Sequence, residues 1–196
     1  QKVVICHVLR YAPFYVAIKE RVESGDIGDI LHIHSTENVS YHHMAVAFIR
    51  GKWNRRDVNP MLLAKCCHDL DLLCWMKSGI QPKKVASFGG RHFFTSENMP
   101  EGASEVCIDC DIERDCEYSA LRHHVDNAWW PFYALAGEAG YEGGEEISDN
   151  EKVAHVSASE YGRCVWNCDN DVVDRQSVIV EFEDGCVATH DMVTNS

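Results

Sequence analysis

The alternation of apolar and polar positions changes period several times along the chain, and each change marks an element. Residues 2–9 form an apolar run that reads as a strand, ended by Pro13. Over 13–24 the apolar residues recur at helical intervals, with Pro13 suited to the first turn and Gly25 to the C-terminal cap. Beyond the turn Gly25-Asp26-Ile27-Gly28, Ile30–Asn38 reads as a strand in which Ile30, His32, His34 and Thr36 alternate with Leu31, Ile33 and Ser35, giving one semi-polar face. Residues 40–59 are mixed, with a polar loop, Gly51 to Asp57, around Trp53. A strong helical period then runs from Pro60 to about Ser78, capped by Asn59 and stopped by Gly79. Lys84–Phe88 and Arg91–Phe94 read as strands around Gly89-Gly90. Residues 95–150 are loop-like and rich in Cys, Trp, Gly and acids, with a short helix near 117–126 and a glycine-acid run, Gly137–Glu146. Val153–Tyr161, Gln176–Phe182 and Cys186–Val193 read as strands, the last two forming a hairpin across Glu183-Asp184-Gly185. Strands arriving in runs with two or three helices predict an α+β fold with an open, largely antiparallel sheet.

Length and composition narrow the picture. A chain of 196 residues, 45% hydrophobic, reads as one domain spanning 1–196 with a Cys-rich insertion at about 95–150. The net charge of −13 argues against nucleic-acid and anionic-membrane partners, whose phosphates such a surface repels. No apolar stretch approaches eighteen residues, so no spanning helix is expected. A chain of this size builds a core without staples, so its ten cysteines read as reduced thiols of a cytoplasmic protein, with Cys66, Cys67 and Cys74 as small hydrophobes on the helix. Neither G-x-G-x-x-G nor G-x-x-x-x-G-K-[ST] occurs, so no nucleotide-phosphate cradle is recognisable.

Candidate chemistry concentrates in Met61–Leu73. On a helix, Lys65 shares a face with His68, and His68 with Asp71. A cationic lysine lowers the basicity of a neighbouring imidazole, while a carboxylate one turn on orients the ring; together they can move a proton on and off a hydroxyl or carbonyl. The same spacing also suits a solvated helix surface with a structural histidine. A second cluster, Cys107-x-x-Cys110-x5-Cys116, offers three thiols for a structural zinc; Cys164, Cys168, His123 or His124 would supply the fourth ligand. A loop of reduced thiols, or one disulfide, is the competing reading. His32 and His34 share a strand face, and Trp129-Trp130 suit either a sugar-binding surface or a core.

Several motifs in order resemble the C-terminal, substrate-binding domain of the Gfo/Idh/MocA oxidoreductase family, named for glucose–fructose oxidoreductase and inositol dehydrogenase. They are His7-Val8-Leu9-Arg10-Tyr11-Ala12-Pro13, Gly25-Asp26-Ile27-Gly28, Trp53-Asn54-Arg55, His68-x-x-Asp71, and Asp174 followed by a strand and Glu183-Asp184-Gly185. The resemblance covers nearly the whole chain. It implies a sheet with helices on one face and a partner's sheet on the other, hence a homodimer or higher homo-oligomer. It also implies that NAD or NADP is held by a separate N-terminal Rossmann domain outside this sequence, so that the chain alone is inactive. The activity implied is oxidation or reduction of a sugar, polyol or related CH–OH compound. His68 would exchange the hydroxyl proton, Lys65 would stabilise the oxyanion, and Asp71 would hold the imidazole. Arg10, Trp53 and Arg55 would bind substrate hydroxyls. The family's D-x-G-x-H pattern is altered here, with Ala64 and Cys66 at the Asp and Gly positions. The alternative from another class is a non-catalytic, metal-clipped module that binds a carbohydrate or a protein.

Overall fold

A sheet with strand order β1-β4-β3-β2 organises the first of two units into which the chain divides. The computed structural model describes residues 2–127, 131–135 and 147–194. Trp129, Trp130 and the whole Gly137–Glu146 run lie outside them. The first unit comprises 2–38, 61–89 and 175–193; the second comprises 39–60, the described part of 90–174, and 194.

The strands are β1 (His32–Val39), β2 (Pro82–Gly90), β3 (Arg175–Phe182) and β4 (Val187–Thr194). β3 and β4 form the expected antiparallel hairpin, with Val178 opposite His190 and Val180 opposite Ala188. Gly185 closes it with φ +86°, a left-handed conformation that glycine adopts without a Cβ clash. Contacts from β1 to β4 advance together, Leu31 O with Val187 N, His32 with Thr189 and His34 with Asp191, so these two strands run parallel. Those between β2 and β3 run in opposite senses, Gln81 O with Glu183 N and Ser87 with Ser177. The sheet is therefore mixed.

α1 (Pro13–Glu23), α2 (Met61–Ala64) and α3 (Cys67–Met76) complete this unit. Leu73 packs against Val178, Val180, Phe182, Cys186 and Ala188, with Leu62, Leu70 and Ile33 around them. The opposite sheet face carries exposed His32, His34, Thr36 and Ile179. Two expectations fail here. Residues 2–7 join no described strand, and Val8–Tyr11 is a 3-10 turn; Val3, Val4 and Ile5 are exposed. The helix read over 60–78 is interrupted at Lys65 and Cys66.

The core of the second unit is Met44–Arg50, a π-helical stretch whose seven residues are all fully buried. The run Met44-Ala45-Val46-Ala47-Phe48-Ile49 has no polar face, so a period-based reading misses it. It ends at Gly51, where the backbone turns extended and where a Cβ would stand 2.7 Å from the Val46 carbonyl oxygen. Val46 packs with Ala120, Leu135, Val156 and Tyr161. Val153–Tyr161, read as a strand, lies instead in α4 (Asp149–Ala158) and a 3-10 turn. The overlooked signal is local: Ser148 and Glu151 form a reciprocal capping box. Arg91–Phe94 is also not a strand. The buried Asp174 carboxylate accepts the backbone N–H groups of His92 (2.7 Å), Phe93 (2.6 Å) and Phe94 (3.4 Å), leaving none for a ladder.

Candidate functional site

The helix interruption builds the site. α2 ends at Ala64, and Cys66 takes φ −100°, ψ 5° before α3 begins. The turn drives Cys66 fully inward, where its sulfur, a carboxylate oxygen of Asp69 and a ring nitrogen of His190 lie within 4.8 Å of one another. Lys65 thus sits in the turn before α3, and the i, i+3 relation to His68 on one continuous helix does not hold.

His68 occupies the first turn of α3, its ring edge-on to that of His7 at 5.5 Å between centroids. Its Nδ1 is buried without a hydrogen-bond partner, leaving Nε2 as the nitrogen able to meet a ligand. The Asp71 carboxylate is turned to another group. Arg10 Nε and Nη2 donate to its two oxygens at 2.6 Å each, and His7 Nε2 stands 3.8 Å away. The guanidinium also lies over the Trp75 ring at 5.8 Å. Arg10, His7, His68 and Asp71 are therefore neighbours, but the residue held by Asp71 is Arg10.

Beneath α3 lies a layer of groups whose charged forms are disfavoured. Alternation along β1 turns Ile33, Ser35 and Glu37 inward and His32 and His34 outward. Burial, then the Asp69 charge, raises Glu37 above the usual carboxylate range, with Lys65 opposing. Burial pushes the Cys66 thiol up to about 12, and Asp69 and Glu37 add to this. Burial lowers His190 in spite of Asp69 and Asp191, and its Nδ1 bonds Ser35 Oγ at 2.8 Å. Sequence reasoning missed Glu37, Asp69 and His190. The inward phase of β1 was the available signal for Glu37; the others needed the fold.

Trp53 and Arg55 belong to the second unit. Trp53 packs on Phe48 and Tyr133, each at 5.7 Å between centroids, and Arg55 donates to Asp169 O at 3.0 Å with Asp171 at 3.5 Å. Cys107, Cys110 and Cys116 line one cavity of about 10 Å³ together with Cys164.

In unit one the arrangement can do one thing chemically: a half-buried imidazole with one approachable nitrogen, near a guanidinium fixed by Asp71, can exchange a proton with a ligand hydroxyl.

Residues 15–115 match the family model of the GFO/IDH/MocA C-terminal domain. Among solved structures the chain is similar to scyllo-inositol dehydrogenase from Lactobacillus casei with bound NAD(H) and scyllo-inositol, at 16% identity and TM-score 0.51, covering 100% of this chain and 36% of that one. It is also similar to myo-inositol 2-dehydrogenase from Lactobacillus plantarum, at 13% identity and TM-score 0.48, covering 97% and 35%. At such identities the likeness concerns the fold. The chain spans about a third of the length of these structures. The search of curated proteins finds no match.

Proposed function

Since this chain belongs to the Gfo/Idh/MocA family, which it matches through the C-terminal domain, we propose that it is the substrate-binding part of an NAD(P)-dependent oxidoreductase acting on a sugar, polyol or related CH–OH compound. One observation carries the reading: His68 has Nδ1 buried and Nε2 left to face a ligand, at the start of a helix whose next turn is pinned by Arg10. In this proposal a nicotinamide held outside this chain would supply the hydride chemistry at the substrate carbon. His68 Nε2 takes up or returns the hydroxyl proton, and Lys65 offsets the negative charge on the substrate oxygen. Asp71 is a positioning residue. It holds the guanidinium of Arg10, leaving Nη1 to donate to a substrate oxygen. The cofactor is assigned elsewhere because the sequence contains no glycine-rich phosphate cradle.

The same proposal places the protein in the cytoplasm, from the reading of its cysteines as reduced thiols, and makes it a homodimer through the open sheet face. The deciding experiment uses the full-length enzyme. A panel of inositols, sugars and other polyols is screened for nicotinamide reduction, with His68→Ala in parallel. Turnover on a CH–OH substrate that collapses in the variant supports the reading. No turnover on any, alongside saturable carbohydrate binding that His68→Ala leaves intact, would favour a non-catalytic binding module.

A further inference from the structure

Of the five thiols in the second unit, none used by the proposed hydride chemistry, four line one cavity. Two 3-10 turns, Cys107–Asp109 and Glu113–Asp115, present three of them, with Cys110 N donating to Cys107 O and Cys116 N to Glu113 O, each at 3.2 Å. The fourth arrives from far along the chain. An antiparallel bridge pairs Val106 with Arg163, and Cys164 N donates to Glu105 O at 2.8 Å, which lays Cys164 beside Cys107. All four cysteines then line the same cavity of about 10 Å³, room for about one water-sized body.

The rest of the wall points to what occupies it. Arg50 is fully buried, and its guanidinium is a cation with five N–H donors and no acceptor. Its Nε donates to Arg163 O and its Nη2 to Tyr118 O, both at 2.6 Å, so these partners are neutral carbonyls. Nη2 also donates to Cys107 Sγ at 3.5 Å, and Nη1 is buried with no partner. Glu113, also on the wall, accepts from Ser119 Oγ. A buried cation so placed requires negative charge nearby. The Ala120 N–H gives Cys107 Sγ a second donor at 3.5 Å. Converging N–H groups on a cysteine sulfur are what outer-shell donors provide to a metal-bound thiolate.

We propose that Cys107, Cys110, Cys116 and Cys164 bind one soft divalent cation, zinc by their chemistry, as a closed structural clip. Loading replaces four S–H protons with the ion, releasing the protons to solvent and leaving a centre of net charge −2 (+2 − 4) beside Arg50. Four protein ligands leave no open position, so the clip orders 105–116 against 163–164 and takes no part in turnover. The remaining candidates for fourth ligand are committed elsewhere. Cys168 donates to Cys164 O at 3.2 Å, and His123 Nε2 bonds Glu117 O at 2.9 Å. His124 is fully buried edge-on to Tyr161. Among the described residues, the groups with ligand atoms already within 4.8 Å of one another lie in the other unit, at His7-Cys67-His68 and Cys66-Asp69-His190. No three of the cavity thiols form such a group, whereas Zn–S bonds of about 2.3 Å impose roughly 3.8 Å between sulfurs. Metal uptake therefore draws the 107–116 turns inward.

The test uses the chain purified without chelator, then again after chelation and reloading with zinc. Elemental analysis should give close to one zinc per chain. Cys110→Ser and Cys164→Ser should lower this at least tenfold, while Cys168→Ser leaves it unchanged. Because a ligand variant could also misfold, the unmodified protein is loaded with cobalt(II). The charge-transfer and ligand-field absorption of a tetrahedral thiolate site should appear, and titration with a mercurial should release the metal as about four thiols react. Failure to retain zinc or cobalt after reloading, cobalt spectra without thiolate character, a mapped disulfide among the four, or equal metal loss in Cys168→Ser would each overturn the proposal.

Discussion

Arg10 and Asp71, 61 residues apart, are joined by two parallel hydrogen bonds of 2.6 Å from Nε and Nη2 to the two carboxylate oxygens. This fork ties the segment before α1 to α3 one turn beyond His68. Its effect on the candidate site is to spend Asp71 on the guanidinium, so the orientation of His68 comes from burial of Nδ1 and from the neighbouring His7 ring.

That pairing is measurable. Arg10→Met and Asp71→Asn should each lower stability by about 1 kcal/mol, as expected for a bidentate but half-exposed pair, and the double variant should lose less than the sum. Urea unfolding of the four proteins closes the cycle; strictly additive losses would mean that the contact contributes nothing.

His68→Ala in the full-length enzyme should reduce turnover by about a hundredfold or more, the range for losing a general acid/base. Nicotinamide affinity should change little, because the cofactor is assigned outside this chain. Steady-state kinetics with a cofactor titration separates the two effects.

Asp174→Ala should cost about 3 kcal/mol or more. The substitution leaves the backbone N–H groups of His92, Phe93 and Phe94 without their acceptor, in a place where only 4% of Asp174 is exposed. Chemical denaturation of the variant reads this directly, and a loss below 1 kcal/mol would show that water replaces the carboxylate.

His123 and His124 should make the second unit acid-labile. Burial, and then the charge of Arg50, lowers both to about 3, against 6.5 for an unfolded histidine. Between these values the unfolded chain binds protons that the folded chain refuses. Stability is therefore fully present above about pH 6.5 and declines as the pH falls toward 3. Neither ring nitrogen of His124 has a hydrogen-bond partner, so His124→Phe should flatten this slope without loss at pH 7. Thermal unfolding followed through buried Trp166 across that range would reveal an unchanged slope if the assignment is wrong.

Ile179 and Val193 lie on the exposed face of β3 and β4, 45% and 43% accessible, among polar neighbours. If that face joins two copies, Ile179→Asp should shift the full-length protein toward monomer in light scattering, with its circular dichroism unchanged. A strict monomer before substitution would remove the sheet dimer.

Local chemistry was enough to write down the elements whose pattern has only one partner. Pro13 and Gly25 bound α1, Gly79 with φ +90° follows α3, and Glu183-Asp184-Gly185 turns the β3–β4 hairpin, all within a few residues of where the period places them. The ordered motifs from Arg10 to Gly185 carried the family in the same way. Tertiary structure decided whatever depends on a residue distant in sequence. Asp174 consumes the N–H groups that would have made Arg91–Phe94 a strand, because a buried carboxylate outcompetes a ladder for adjacent donors. Burial of Cys66 beside Asp69 and His190 breaks the helix that its period predicted to be continuous, and so takes Lys65 off the face of His68. Arg10 claims Asp71 across 61 residues, and the Val106–Arg163 bridge brings Cys164 to the 105–107 segment. Periodicity reports which face of an element is buried; which groups meet inside that face depends on chain closure, and closure is a property of the fold.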